Sequence, residues 1–167
     1  MVTATDSRSW STSGVLSPLP VMQRTSGSSR GIRPASRRWL LAASLADIQA
    51  WWASEYTRLY GEPFTPLSGG IFAAYPQRTA PIPGCGFPGN TTYQEVSDYG
   101  AFYCPDGDYI AYDDGDLGVV YELAERFSPS VVAVVMAHEF GHAVQSRTGV
   151  LDRDLATIYT EQQADCF

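Results

Sequence analysis

Residues 131–142 read VVAVVMAHEFGH, and the interpretation of the whole chain starts from them. Seven apolar residues lead into a pentapeptide that contains both histidines of the chain. In a helix, residues four apart lie on the same face one turn apart, so His138 and His142 present their imidazoles side by side. The apolar lead-in predicts a helix that is buried on nearly all sides, as the central helix of a domain is.

Two imidazoles placed in this way can share one metal ion. Glu139 would then lie beside the ion, where its carboxylate can take a proton from a bound water, as in the H-E-x-x-H pattern of zinc peptidases. The pattern is short enough to arise by chance, and the two rings could instead form a buried hydrogen-bonded pair. We favour a metal, because a buried apolar helix with two histidines and a glutamate would otherwise leave costly polar groups in the core.

A zinc site that keeps one open position needs a third protein ligand. A last helix is predicted from about residue 152 or 154 to the end, and it carries Glu161 and, one turn later, Asp165. A hairpin of two helices would bring Glu161 back over the rings, and Gly141 lets another backbone approach closely. Asp165 is placed to accept the outer N–H of a ligand histidine. The alternative is that both acids form a solvated helix face.

Composition separates the head of the chain from the rest. The 167 residues are 44% hydrophobic and 13% aromatic, enough for one domain with a core. The net charge of −7 and the absence of lysine argue against nucleic acid as the main partner. Residues 1–38 instead hold six of the eleven arginines. They predict a disordered, basic, Ser/Arg-rich head before a domain at 39–167. The head contains neither a clear signal peptide nor a transmembrane span.

The remaining patterns predict an α+β fold that is mostly helical with a few short strands. Ser44, followed by Asp47, is expected to cap the first helix. One strand, Tyr109–Asp113, is expected to offer an exposed edge to an extended peptide. The predicted helices are Ser44–Tyr60, 117–127, 128–149 and the last helix, and the predicted strands are Ile71–Tyr75, Ala101–Cys104 and Tyr109–Tyr112.

Cys85 and Cys104 lie nineteen residues apart in a region rich in Gly, Pro and Asp. A disulfide between them would stiffen a segment with little regular structure, and two reduced buried thiols are the alternative. Both readings stay open on the residues alone.

Five acids surround two glycines in the same region and could ligate calcium. Asp and Gly also dominate ordinary turns, and the spacing fits no EF-hand loop, so calcium is the disfavoured reading. The acids are Asp106, Asp108, Asp113, Asp114 and Asp116.

Residues 136–146 (MAHEFGHAVQS) and 161–167 (EQQADCF) resemble the neutral zinc metallopeptidase family of bacteria. The segments Cys104-Pro105 and Tyr109–Asp113 are also similar, and the resemblance covers roughly residues 45–167. Within the zincins, the arrangement resembles the gluzincins, in which a downstream glutamate is the third zinc ligand. The resemblance therefore implies a zincin-like catalytic domain.

Transferred by position, the resemblance implies that His138, His142 and Glu161 bind one zinc ion. It implies that Glu139 is the catalytic acid/base and that Asp165 orients a ligand histidine. The implied reaction is hydrolysis of peptide bonds in a peptide or protein substrate. Family members are usually exported or attached to the cell envelope, which would suit a disulfide between the two cysteines of the middle region.

The end of the chain departs from the family pattern. It stops two residues after Asp165, where such enzymes continue with further helices, so the domain is expected to be incomplete at its C-terminus. The alternative function is therefore a catalytically incomplete zinc-binding fragment, in which the metal only staples two helices. A purely structural or interaction module is a third reading. The oxyanion stabiliser is open, with Tyr112 as one candidate.

Overall fold

The computed structural model describes residues 34–115 and 118–167, with side chains described from residue 38 onward. These residues form a mixed helical and sheet structure, so the predicted α+β class is confirmed. The predicted disordered head lies, up to residue 33, outside the described residues. No helix within the described ranges has the length and apolar character needed to cross a membrane.

Helices and strands alternate irregularly along the described residues. The helices are α1 (Pro34–Tyr60), α2 (Tyr93–Tyr99), α3 (Val119–Arg126), α4 (Val131–Arg147) and α5 (Thr157–Cys166). The strands are β1 (Gly70–Ala74), β2 (Ile82–Pro83), β3 (Asn90–Thr91), β4 (Ala101–Cys104) and β5 (Tyr109–Asp113). The three predicted strands are confirmed to within a residue at each end.

The predicted start of the first helix is wrong, because α1 begins ten residues earlier, at Pro34. Ser44 lies inside the helix, where its hydroxyl donates to the Leu40 carbonyl oxygen one turn back at 2.8 Å. A serine satisfied in this way does not mark a helix end. Proline is well suited to the first helical position, where its missing N–H costs no hydrogen bond. Residues 34–38 therefore belong to a helix rather than to the predicted head.

The last helix, by contrast, begins later than predicted, at Thr157. The residues before it form turns, in which the Arg153 N–H bonds to the Val150 carbonyl and the Leu155 N–H bonds to the Arg153 carbonyl. The acids at 152 and 154 therefore lie in the connection between α4 and α5.

The main sheet has the strand order β1-β5-β4, with β1 parallel and β4 antiparallel to β5. The prediction that Tyr109–Asp113 is an exposed edge is wrong, because β5 is paired on both sides. The edges of this sheet are β1 and β4. Strand order depends on long-range packing, which the alternation of a single strand does not encode.

Helix α4 is the centre of the core. It packs against α1, α3 and α5 and against β4, and its side chains Met136, Phe140 and Val144 are fully buried. The prediction of a central helix is thus confirmed. Its first turn departs from the prediction at Val134, which is 65% exposed and faces away from the neighbouring elements.

A charged anchor holds the C-terminal end of α4 against the β4–β5 turn. The Arg147 guanidinium pairs with Asp108 at 3.0 Å and also donates to the Thr65 carbonyl oxygen. Asp108 in turn accepts the Tyr103 hydroxyl at 2.9 Å and the Ser68 N–H at 2.7 Å. Because this carboxylate has several donors, they together hold its pKa below its usual range despite the effect of burial. The network ties the sheet to the helix that carries both histidines.

Cys85 and Cys104 form a disulfide, with a Cα–Cα distance of 5.6 Å. The bond joins the loop between β2 and β3 to the end of β4. It thereby resolves the alternatives that the residues left open.

Candidate metal centre

Both histidines project from one face of α4, as the spacing predicts. Their ring centroids lie 4.7 Å apart, with the ring planes nearly perpendicular. Across from them lies α5, and the two helices touch at Gly141. A Cβ built on Gly141 would lie only 2.8 Å from the Ala164 carbonyl oxygen. The predicted role of Gly141 in a close backbone approach is therefore confirmed.

The approach of α5 brings the Glu161 carboxylate to both imidazoles. The two histidine Nε2 atoms are 3.1 Å apart, and the Glu161 Oε2 lies 3.2 Å from the Nε2 of His138 and 3.5 Å from that of His142. Zinc bonds of 2.0–2.2 Å at tetrahedral angles would place neighbouring ligand atoms about 3.3–3.5 Å apart. The three atoms thus lie at nearly the spacing that one such ion requires, without further movement of either helix.

Asp165 fixes the orientation of His138. Its Oδ1 lies 2.8 Å from the His138 Nδ1, on the side of the ring away from Glu161. An ionised carboxylate only accepts hydrogen bonds, so the Nδ1 carries the proton. In a neutral ring with this tautomer, the lone pair of the Nε2 points toward His142 and Glu161. The structure therefore brings Asp165 to the position that the sequence analysis gave it.

Gln145 does the same for His142, and the sequence analysis did not single it out. Its amide nitrogen donates to the Thr160 carbonyl oxygen at 2.6 Å and to Gln163 at 3.0 Å. The amide oxygen must therefore be the atom that faces the His142 Nδ1 at 2.9 Å. An amide oxygen only accepts, so His142 also carries its proton on Nδ1. Gln145 is fully buried, and it links the ring of α4 to the backbone of α5.

Three acceptor atoms consequently face one another at the centre of the site. Two imidazole lone pairs and a carboxylate oxygen within 3.5 Å repel unless a cation lies among them. Two imidazoles and one carboxylate are also a donor set that zinc prefers. In the described part of the chain, this is the one group of three or more His, Cys, Asp or Glu residues able to hold a metal. A single proton shared between the rings would relieve the same repulsion, and elemental analysis for zinc distinguishes a bound metal from a shared proton.

Glu139 is next to the first ligand candidate but is not one of the three clustered groups. Its side chain is buried, with the residue 7% exposed. Burial raises the pKa of this carboxyl above its usual value, while the two histidines and the backbone N–H of Tyr103 act in the opposite direction. The N–H of Tyr103 belongs to β4, so the sheet helps to hold the carboxylate in place.

The site opens into a cleft of about 490 Å³ between α4, α5 and β4. Glu139, both histidines and Glu161 all line it. Tyr112, the candidate oxyanion stabiliser, is not among its lining residues. It packs instead beside the core formed by α1, α3 and α4, and burial raises the pKa of its hydroxyl to about 12. The other lining residues are Tyr99, Ala101, Phe102, Tyr103, Pro105, Leu151 and Thr160.

The acids considered for calcium do not converge. Asp108 belongs to the Arg147 anchor, while Asp113 accepts the Gly115 N–H and the Ser97 hydroxyl. Asp114 accepts the Tyr121 hydroxyl and lies near Arg38. Asp116 lies outside the described residues. Asp108, Asp113 and Asp114 thus hold local structure together, and Asp106 has no such contact among the described residues.

Similar proteins give no activity for the chain. Uncharacterized proteins of Mycobacterium tuberculosis and Mycobacterium bovis are each 38% identical over 81 residues, which cover 42% of this chain and 27% of the relative. The chain thus spans about a quarter of the length of these curated relatives. No family model matches the chain. No solved structure matches it either, so the zincin-like fold stays a prediction.

Proposed function

We propose that this chain is a zinc-dependent metallopeptidase that hydrolyses peptide bonds in a peptide or protein substrate. The observation that carries the proposal is the convergence of three inward-facing acceptor atoms beside a buried carboxylate in one open cleft. His138, His142 and Glu161 would hold the zinc ion. Three protein ligands leave the fourth tetrahedral position open, as in catalytic rather than structural zinc sites.

A zinc ion bound there would lower the pKa of a bound water and polarise the substrate carbonyl. Glu139 takes the proton of the attacking water and delivers it to the leaving amine. Asp165 and Gln145 accept hydrogen bonds from the Nδ1 atoms, which would leave both Nε2 atoms free to bind the metal.

The free edge of β4 is the feature that supports an extended substrate. The strand lines the cleft with Ala101, Phe102 and Tyr103, and among the residues that the structure describes it pairs only with β5. An extended peptide can add to such an edge through main-chain hydrogen bonds. This edge takes the place of the one expected at Tyr109–Asp113.

The disulfide supports the proposal that the protein functions in an oxidising compartment. Such bonds persist in secreted and envelope proteins and are rare where thiols are kept reduced. The Cys85–Cys104 bond also ties the loop between β2 and β3 to the end of β4.

Elemental analysis paired with a peptidase assay tests the proposal. Protein purified without chelators is expected to contain one zinc per chain and to cleave casein or a quenched peptide, and a chelator is expected to stop the cleavage. Zinc without cleavage of any peptide would favour the fragment in which the metal only staples α4 to α5. Absence of zinc, with no effect of chelator on melting, would favour a structural or interaction module.

Chelation is expected to lower the melting temperature of the chain. A ligand that binds only the folded state at about 100 times its Kd stabilises by roughly 2.7 kcal/mol, which is roughly 5–10 °C for a domain of this size. Differential scanning fluorimetry with and without EDTA measures the shift. Zinc should restore the original temperature and calcium should not. Equal recovery with calcium would contradict the donor set assigned here.

Replacing Gln145 with methionine is expected to weaken zinc binding roughly 10–100-fold, the usual effect of losing a partner that orients a metal ligand. Methionine fills similar space but neither accepts the His142 proton nor donates to Thr160. Gln163→Ala is the matched control, because it removes one acceptor of the Gln145 amide and leaves the bond to Thr160. Competition with a zinc-binding dye measures both affinities. Equal affinity in Gln145→Met and the parent would contradict the role of Gln145.

A further inference from the structure

A second cavity, of about 350 Å³, adjoins the metal cleft on the other side of two aromatic side chains. Tyr99 and Phe102 line both spaces, and their rings contact each other with centroids 6.2 Å apart. The remaining walls come from the disulfide loop, β3 and α2, through Cys85, Phe87, Thr91 and Glu95.

Two polar side chains of this cavity, Thr91 and Glu95, bond to the protein itself. The Thr91 hydroxyl donates to the Pro83 carbonyl oxygen at 2.7 Å. The Glu95 carboxylate accepts the N–H and the hydroxyl of Thr92, in the capping box that begins α2. The rest of the lining is the Cys85 sulfur, the rings of Phe87, Tyr99 and Phe102, and the Tyr99 hydroxyl, and the Phe87 side chain is 45% exposed. The surface that the cavity offers is therefore mainly apolar.

The alternating orientation of residues along β4 relates the metal cleft to the second cavity. The Gly100 carbonyl oxygen accepts the Asp113 N–H, so Gly100, Phe102 and Cys104 direct their backbone groups at β5. Ala101 and Tyr103 then direct theirs outward. The N–H of Tyr103 bonds to Glu139, so an added peptide would pair with the backbone groups of Ala101. The side chains alternate as well. Ala101 and Tyr103 pack with α4, whereas Phe102 and Cys104 pack on the opposite face of the sheet.

A peptide added to this edge would continue the same alternation. Successive side chains of an extended chain point to opposite faces of the sheet. A peptide residue whose side chain faces α4 would lie over the metal centre. The side chain of the next peptide residue would point to the opposite face of the sheet, which carries Phe102 and where the second cavity opens. The two spaces are thus separated by one step of an extended peptide.

We propose that the cavity between Phe87, Tyr99 and Phe102 is a specificity pocket that takes an aromatic or large aliphatic side chain of the substrate. The proposal rests on the peptidase function proposed above. Its occupant follows from the apolar lining, the wall shared with the metal cleft, and the alternation of β4. The pocket lies on the sheet face away from α4. It therefore selects the side chain of a substrate residue that neighbours, in the peptide sequence, a residue whose side chain faces the metal.

A positional library of quenched peptides tests the pocket. Each peptide carries phenylalanine or alanine at one position, and kcat/KM is measured for the zinc-loaded protein. At a single position, phenylalanine is expected to be preferred roughly 10–100-fold, the effect of burying one such side chain. The ratio should approach one in Phe87→Ala. Phe127→Ala, which removes an exposed phenylalanine beside α3, is the control and should keep the ratio.

Binding of the same labelled peptides to zinc-loaded Glu139→Gln, followed by fluorescence anisotropy, separates the pocket from the reaction. A Phe87-dependent preference in cleavage or in binding supports the pocket. Phe87-dependent binding without cleavage supports the pocket and contradicts the peptidase. Cleavage with no preference, or with one that Phe87→Ala leaves unchanged, overturns the pocket and leaves the peptidase. Neither cleavage nor Phe87-dependent binding overturns both.

Discussion

Glu139→Gln is expected to keep one zinc per chain and to lose hydrolysis by roughly 10²–10⁴-fold, the usual contribution of a positioned general base. Glutamine has nearly the same shape but cannot take the proton of the attacking water. Zinc is retained because Glu139 is not one of the three clustered donors. Stability should not fall, since the substitution replaces a buried carboxylate whose ionisation burial disfavours. The measurements are kcat/KM on a quenched peptide, zinc content and melting temperature.

Glu122→Gln is the matched control for this experiment. Glu122 lies exposed in the first turn of α3, so the same chemical change there should leave hydrolysis within a factor of two or so, as surface changes usually do. A Glu139→Gln variant that cleaves at the parent rate would show that another group moves the proton. Loss of zinc together with activity would show instead that Glu139 is a ligand.

Glu161→Ala is expected to weaken zinc binding by more than about 100-fold, beyond the effect of losing a partner outside the ligand set. Asp165→Asn should fall within roughly 10–100-fold, because it perturbs the ligand His138 without removing a donor. The two variants thus give a graded series. A zinc-binding dye in competition with each protein measures it.

The metal-free form of Glu161→Ala provides the sharper test. Without zinc, and at a pH where both imidazoles are neutral, the Glu161 carboxylate faces two lone pairs, so its removal should not lower the melting temperature. With zinc present, the variant should melt well below the parent. Gln162→Ala, at the neighbouring exposed position of α5, should match the parent in both forms. A Glu161→Ala protein that is equally destabilised with and without zinc would show that Glu161 acts only by packing.

The parts of the fold that the sequence predicted are those with a clear local period. The three strands of the main sheet alternate or are bounded by turn residues, and α4 has a long apolar run before its histidines. Helix α2 was missed, although Thr92 and Glu95 form the capping box that begins it. Seven residues are too few to show a helical period. The edge at β4 was also missed, because the pairing partners of a strand are set by the rest of the domain.

The candidate site likewise has residues that the sequence predicted and residues that it did not. The helical repeat predicted that His138 and His142 share a face, and the hairpin argument brought Glu161 and Asp165 to them. Gln145 escaped notice because its function depends on the docked position of α5, although its place three residues after His142 on the same helix was visible. The neighbouring apolar cavity combines four separate segments, and nothing local in the sequence joins them.

Anomalous diffraction from crystals of the zinc-loaded protein, recorded on both sides of the zinc absorption edge, tests the central claim most directly. We predict one anomalous peak about 2.0–2.2 Å from the Nε2 atoms of His138 and His142 and from a Glu161 carboxylate oxygen. Glu139 should lie outside bonding distance of that peak. Absence of a peak at these three side chains, or a Glu161 carboxylate turned into solvent while zinc is bound elsewhere, would contradict the account.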